Sequence, residues 1–205
     1  SLEKEMYYHV YNRGVDRREI FLSDEDRRRF LRACVLLNDD EVMSQRYPLQ
    51  KDGHHPFSAQ KPLVSIISYV LMDNHIHFVL KQLREDGIAR FMQRIGTSYT
   101  KYFNLRHGRT GSLFESTYKA VFVESSDHFL HLTRYVHLNP LDLFTMGADR
   151  WEQLLQYPWS SLQKYLLGTH DPVVDVSDLL SMISPLEYGV FLKEWLPEWR
   201  STTEA

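Results

Sequence analysis

The largely apolar run from Val64 to Leu80 constrains the fold more than any other stretch of this chain. The run is divided at Met72-Asp73-Asn74, whose composition is typical of a tight turn. It therefore predicts two antiparallel strands, from Val64 to Leu71 and from His75 to Lys81, joined as a hairpin.

The second strand begins with two histidines, His75 and His77, on either side of Ile76. Side chains alternate between the faces of a strand, so the two imidazoles share one face while Ile76 points into the core. Neutral imidazole is a common metal ligand, and two on one face can hold one divalent ion. Two half-exposed strand histidines without a ligand would have the same spacing, so the pair alone leaves both interpretations open.

The hydrophobic pattern predicts five further elements in a regular order. They are a strand from Tyr7 to Tyr11, a helix capped by Ser23 and reaching about Leu37, a helix from Gly87 to about Arg106, a strand from Tyr118 to Glu124, and a helix capped by Ser126 that ends near Asn139-Pro140. The order β-α-β-β-α-β-α predicts an α+β fold, with a ferredoxin-like (split βαβ) antiparallel sheet carrying helices on one face. One more helix follows this core.

Composition divides the chain into a core domain, residues 1–140, and an extension, residues 141–205. Residues 39–62 are polar and rich in turn formers, which predicts an inserted loop within the core domain. The segment from Trp151 to Arg200 has a helical, aromatic-rich pattern. We therefore expect a helical, acidic C-terminal extension.

The net charge of −3 hides a strong gradient along the chain. The segment from Lys81 to Lys119 has eight Lys/Arg against three Asp/Glu, a local +5, whereas Leu141 to Ala205 has four against ten, a local −6. Basic residues interleaved with aromatics, such as Phe91 and Tyr99, can bind phosphates and stack on bases. A solvated amphipathic helix would have a similar pattern.

Several classes of protein are disfavoured by composition. The single cysteine, Cys34, excludes an internal disulfide framework and a metal site made of cysteines alone. No apolar run approaches the roughly 20 residues that span a bilayer, and no signal peptide opens the chain. We expect a cytoplasmic protein without a membrane partner.

The last core helix carries Tyr135 and Asn139, four residues apart and hence on one helix face. If that face lies over the histidines, Asn139 supplies a third, oxygen ligand and Tyr135 presents a hydroxyl beside the metal. These are the parts needed for nucleophilic attack on a phosphodiester. A phenol has a pKa of about 10, so nearby positive charge must help to deprotonate it. Most helical tyrosines with such a neighbour are packing residues, so the spacing alone is weak support.

An ordered series of motifs links these residues across the chain. The motifs are Tyr8-His9-Val10-Tyr11-Asn12-Arg13-Gly14, Met72-Asp73-Asn74-His75-Ile76-His77-Phe78, Gly108-Arg109-Thr110-Gly111-Ser112-Leu113-Phe114-Glu115, Tyr118-Lys119-Ala120, Tyr135-Val136-His137-Leu138-Asn139-Pro140 and Pro158-Trp159-Ser160-Ser161. The series resembles the single-tyrosine transposases of the HUH nuclease superfamily, especially the REP-associated tyrosine transposases of bacteria. The resemblance extends from about Met6 to Leu167. Asp73 stands where relatives usually have proline, and it favours the turn.

The resemblance implies the chemistry and the residues that perform it. It makes His75 and His77 the paired metal ligands, Asn139 the polar residue of the metal site, and Tyr135 the nucleophile on the helix after the core. Such enzymes use Mg²⁺ or Mn²⁺ to cut single-stranded DNA, often beside a hairpin, through a covalent 5′-phosphotyrosine link. The resemblance leaves open a bacterial monomer or a homodimer.

Six basic residues are predicted to contact DNA. Charge and flanking motif indicate Arg13, Arg109 and Lys119. The basic long helix adds Arg90, Arg94 and Lys101. A replication-initiator or relaxase-like nickase would share this chemistry, and a non-catalytic nucleic-acid-binding protein would share the fold, so both stay open as alternatives.

Overall fold

The structure is a computed structural model that describes residues 2–40, 61–144, 149–197 and 199. The strands are β1 (Tyr7–Arg13), β2 (Val64–Leu71), β3 (His75–Gln82) and β4 (Lys119–Phe122). The α-helices are α1 (Asp24–Leu36), α2 (Gly87–Arg106), α3 (Ser126–Leu138), α4 (Arg150–Gln156), α5 (Leu162–Leu167), α6 (Ser177–Leu180) and α7 (Pro185–Lys193). Short 3-10 helices span Val15–Arg17 and Asn139–Leu143. Most of the loop predicted at 39–62 lies outside the described residues.

The four strands form one antiparallel sheet in the order β2-β3-β1-β4. Each helix of the split βαβ unit crosses over a neighbouring strand, which confirms the predicted α+β architecture. In the central pair, Tyr11 lies beside His77 and Arg13 beside His75. This register places β1 side chains next to both histidines.

The two faces of the sheet are covered by different helices. Ile76 and Phe78 point towards the α1 and α2 layer, where the Phe78 ring lies 6.4 Å from Phe30 and 6.2 Å from Phe91. Fully burying one such side chain contributes about 2 kcal/mol. On the opposite face α3 packs against β2 and β3. The alternation predicted for β3 thus turns His75 and His77 towards α3.

Local chemistry fixes where the helices begin. The Ser23 hydroxyl caps α1 by accepting a hydrogen bond from the Asp26 amide at 3.3 Å. The prediction of Ser126 as the cap of α3 is wrong by one residue. Ser125 has the extended backbone of a cap and accepts from the His128 amide at 3.1 Å, so Ser126 is already helical.

The described part of the C-terminal extension packs on α3 and β2. His137, on α3, is fully buried between the Tyr188 hydroxyl at 2.7 Å and the Ser161 hydroxyl at 2.8 Å. The Tyr69 amide of β2 donates to the same Ser161 oxygen at 3.0 Å. Buried polar groups need such partners, so these bonds tie the extension to the helix that carries Tyr135. No helix among the described residues is long and apolar enough to span a bilayer.

Candidate active site

A cleft of about 420 Å³ opens between the sheet and the end of α3. Strand β3 contributes both histidines, β1 contributes four residues, and α3 contributes Tyr135 with Asn139 at its C-cap. The lining residues are His9, Tyr11, Asn12, Arg13, Arg17, Asn74, His75, His77, Glu115, Ser116, Lys119, Val121, Tyr135, Asn139 and Asp142. All four predicted metal-site and nucleophile residues therefore meet in one place.

His75 is held from two sides. Its Nδ1 lies 2.6 Å from Asn74 Oδ1, and its Nε2 lies 3.2 Å from Asn139 Oδ1. Asn139 is 2% exposed, so this contact is shielded from water. The helix that carries Tyr135 thus delivers an amide oxygen directly to the first histidine.

His77 contacts a residue of the neighbouring strand. Its Nδ1 lies 2.8 Å from His9 Nε2, and the two rings stack with centroids 5.1 Å apart. His77 is 7% exposed. The pairing of β1 with β3 therefore completes the surroundings of the second histidine.

All three histidines favour the neutral form. Burial lowers the pKa of His9 to about 4, with repulsion from His128 as a smaller cause. Burial also lowers the pKa of His75, and it lowers that of His77 well below the ordinary value, where His9 and His75 add repulsion. A metal requires neutral imidazole, so the site holds these side chains in the ligating form at neutral pH.

One distance in this cleft fits two ligands of a small divalent cation. Two ligand atoms about 2.1 Å from such an ion and at right angles lie about 3 Å apart, close to the 3.2 Å between His75 Nε2 and Asn139 Oδ1. Asn139 Nδ2 is buried without a hydrogen-bond partner among the described residues. The described residues hold no group of three or more His, Cys, Asp or Glu arranged around a metal. The predicted ligand set of two imidazoles and one amide oxygen is not a group of that kind.

Tyr135 stands edge-on to the histidine cluster. Its ring centroid lies 5.5 Å from that of His77 and 5.9 Å from that of His9. On its other side the Trp199 ring lies 5.8 Å away, and the Trp199 indole donates to Asp142 Oδ1 at 2.8 Å. The tyrosine is therefore fixed among rings within reach of the polar cleft.

The structure separates the six predicted DNA-contacting residues into two groups. Arg13 and Lys119 line the cleft; Arg13 pairs with Glu115 at 3.4 Å, and the Lys119 ammonium lies 5.8 Å from the centre of the Tyr11 ring. The other four residues do not line it: Arg90, Arg94, Lys101 and Arg109.

Helix α2, on the opposite side of the sheet, carries three of these four. Arg90 pairs with Asp40, Arg94 donates to the Asp39 carbonyl at 2.6 Å, and Lys101 is exposed. Arg109, just after α2, donates to Asn104 Oδ1 at 2.9 Å. DNA contact by any of the six stays a prediction.

Sequence reasoning does not assign roles to His9 or to the Asn74 side chain. His9 is recognisable only as a residue of the first strand that could face either the core or a groove, and Asn74 only as part of a turn. Their contacts depend on strand register and on a loop near Arg17, neither of which has a local sequence signal.

Asp73, the departure from the usual proline, lies outside the cleft. Its carboxylate pairs with Arg27, and its carbonyl accepts hydrogen bonds from the amides of Ile20 at 2.8 Å and Phe21 at 3.2 Å. These contacts support the predicted turn role.

Comparisons with known proteins show which family and which fold this chain shares. The family model described as "Transposase IS200 like" matches residues 3–139, which is most of the chain. A solved structure described as "Structure of the REP associates tyrosine transposase bound to a REP hairpin" is similar with a TM-score of 0.54 and 15% sequence identity, covering 86% of this chain and 90% of that one. At that identity the likeness supports the shared fold alone. No curated protein matches. Because this family model matches more than half of the chain, the chain belongs to the IS200-like transposase family.

Proposed function

We propose that this protein is a metal-dependent single-stranded DNA endonuclease and strand transferase with Tyr135 as its nucleophile. One observation carries the proposal: the Tyr135 ring lies 5.5 Å from His77, in the same cleft where Asn139 Oδ1 lies 3.2 Å from His75 Nε2. Tyr135 and the three proposed ligands lie on separate elements, and they meet because α3 crosses the histidine face of the sheet.

The proposed step is a transesterification. The Tyr135 phenol loses its proton, and its oxygen forms a bond to a backbone phosphorus. The bond from that phosphorus to the upstream 3′ oxygen breaks, and the leaving oxygen gains a proton to become a free 3′-OH. The downstream strand remains as a 5′-phosphotyrosine. Attack by a 3′-OH reverses the step, so bond energy is conserved and no ATP is needed.

His75, His77 and Asn139 would hold Mg²⁺ or Mn²⁺. When bound, the ion supplies charge stabilisation for the phosphoryl oxygens. The chain's own residues orient the reacting groups: α3 fixes Tyr135, and the cationic side chains of Arg13 and Lys119 attract the phosphate backbone. Preorganised charge of this kind is effective because the cleft is partly shielded from water.

A hairpin-containing single strand is the proposed substrate. The structural neighbour is described as bound to a REP hairpin. The shared fold and the basic cleft edge support the same class of ligand here.

The test is covalent capture. The protein is incubated with end-labelled hairpin DNA carrying a single-stranded flank and Mg²⁺ or Mn²⁺, and the products are resolved on a denaturing gel. A labelled protein–DNA adduct is expected, and Tyr135→Phe and EDTA should each abolish it. Tyr102→Phe is the matched control, because the Tyr102 hydroxyl bonds to Asp26 at 3.1 Å on the other face of the sheet. An undiminished adduct from Tyr135→Phe excludes this nucleophile.

A further inference from the structure

Each cleft histidine has a hydrogen-bonding partner at its Nδ1 atom. Asn74 occupies this position for His75, and His9 occupies it for His77. We propose that Asn74 and His9 are positioning residues that hold both histidines in the Nδ1–H form, leaving the two Nε2 lone pairs to bind the metal. This inference deepens the proposed function and rests on its metal site.

For His75 the proton assignment follows from the hydrogen bonds of Asn74. The Asn74 Nδ2 group donates to the Arg17 carbonyl at 3.2 Å, and a carbonyl can only accept. The amide orientation is therefore fixed, with Oδ1 towards His75 Nδ1 at 2.6 Å. Asn74 Oδ1 and Asn139 Oδ1 can both only accept, and a neutral imidazole has one N–H to donate. The shorter contact, 2.6 Å at Nδ1 against 3.2 Å at Nε2, therefore favours the proton on His75 Nδ1. Its Nε2 then has a lone pair directed at the side of the cleft where Asn139 Oδ1 lies.

An unusual backbone turn holds the Arg17 carbonyl that orients Asn74. Asp16 and Arg17 have φ values of 53° and 57°, in the left-handed region that residues other than glycine rarely adopt. Such conformations persist where surrounding contacts hold them. Here the turn presents the Arg17 carbonyl to Asn74, so the strained segment supports the orientation of His75.

For His77 the assignment rests on the proposed metal site. His9 Nε2 lies 2.8 Å from His77 Nδ1, so a metal ion has no access to that nitrogen. Ligation must then use His77 Nε2, which requires the proton on Nδ1 and makes His9 the acceptor. The β1–β3 register fixes the two rings in this stacked arrangement, with centroids 5.1 Å apart.

The expected size of the effect comes from outer hydrogen-bond partners of metal-bound histidines, whose removal costs about 10–100-fold in metal affinity. A partner that only packs against the ring would not change which nitrogen carries the proton. Tautomer state and metal affinity together therefore distinguish positioning from packing.

The experiment begins with the metal-free, DNA-free protein labelled with ¹⁵N-histidine. Two-bond ¹H–¹⁵N correlation spectra should show His75 and His77 as Nδ1–H tautomers. His9→Phe keeps a ring but removes the acceptor, and should shift His77 towards the Nε2–H form and weaken Mn²⁺ binding in calorimetry by about 10–100-fold. His9→Gln restores an acceptor and should recover most of the affinity.

Asn74 is tested in the same way, with Asn74→Leu removing the acceptor and Asn74→Asp retaining it for His75. His170→Phe, the same replacement at an exposed histidine outside the cleft, is the control and should bind Mn²⁺ as the parent protein does. An Nε2–H tautomer at either histidine in the parent protein overturns the inference, as does unchanged affinity in His9→Phe. Correct tautomers without a DNA adduct would instead count against the proposed function alone.

Discussion

The basic residues of the cleft provide the sharpest prediction about DNA binding, because the structure separates them from the basic face of α2. Arg13→Gln combined with Lys119→Gln removes two charges from the cleft, whereas Lys101→Gln removes one from an exposed site on the opposite side of the sheet. If DNA follows the cleft, only the first change should reduce the salt dependence of binding.

The magnitude follows from counterion release. For single strands the slope of log K against log salt decreases by about 0.7 for each phosphate that the protein no longer neutralises, so the slope of the double variant should be shallower by about 1.4. Over a fourfold rise in salt, parent affinity should therefore drop about sevenfold more than the affinity of the variant. The Arg13–Glu115 pair is partly exposed and worth at most about 1 kcal/mol, so it yields readily to a phosphate.

Fluorescence anisotropy with a labelled hairpin and its single-stranded flank measures these slopes between 50 and 200 mM salt, roughly the physiological range. A Tyr135→Phe background prevents cleavage during the titration. Equal slopes for the double variant and its parent refute the cleft path. A slope shallower by about 0.7 in Lys101→Gln would show that DNA also reaches α2.

Two further predictions separate function from stability. Asn139→Leu should weaken Mn²⁺ binding at least tenfold in calorimetry. The midpoint of urea unfolding should not fall, because the Asn139 amide has a buried Nδ2 without a described partner. A large fall in the midpoint would contradict this. Asp26→Asn should lower the free energy of unfolding by about 1–3 kcal/mol at neutral pH, since the fully buried carboxylate accepts from Tyr102 and His107. Burial alone would raise the pKa of Asp26, but hydrogen bonds from His107, a backbone amide and Tyr102 outweigh it and keep the pKa below its usual value. The stabilisation is thus present above pH about 4 and lost as pH falls through the depressed folded pKa, so urea curves of parent and variant should converge in acid; a constant gap would argue against a charge effect.

Local periodicity is enough to predict most of the fold. The helix from Gly87 to Arg106 and the hairpin around Asp73 are predicted with bounds within about one residue of those observed, because their glycine, turn and apolar signals are all local. The short strand β4 is predicted too long, from Tyr118 to Glu124 instead of Lys119–Phe122. Its ends depend on pairing with β1, for which sequence has no signal.

The sequence likewise predicts part of the candidate site but not all of it. Periodicity places Tyr135 and Asn139 on one helix face, and the family resemblance assigns their roles. Which basic residues share the cleft could not be predicted, because Arg13 and Arg94 lie in similarly basic, aromatic surroundings along the sequence. The two residues are separated because β1 presents Arg13 on the α3 side of the sheet, whereas Arg94 lies on α2, which covers the opposite side.

The sequence by itself determined the order of the elements and the common face of His75 and His77, because alternation along a strand is a property of adjacent residues. Only the tertiary structure decided what surrounds them. His9 reaches His77 across 68 residues through the β1–β3 register, and Asn74 is oriented by a carbonyl 57 residues away. Such contacts are set by the pairing and packing of distant segments, and they determine which nitrogen of each histidine is available to a metal.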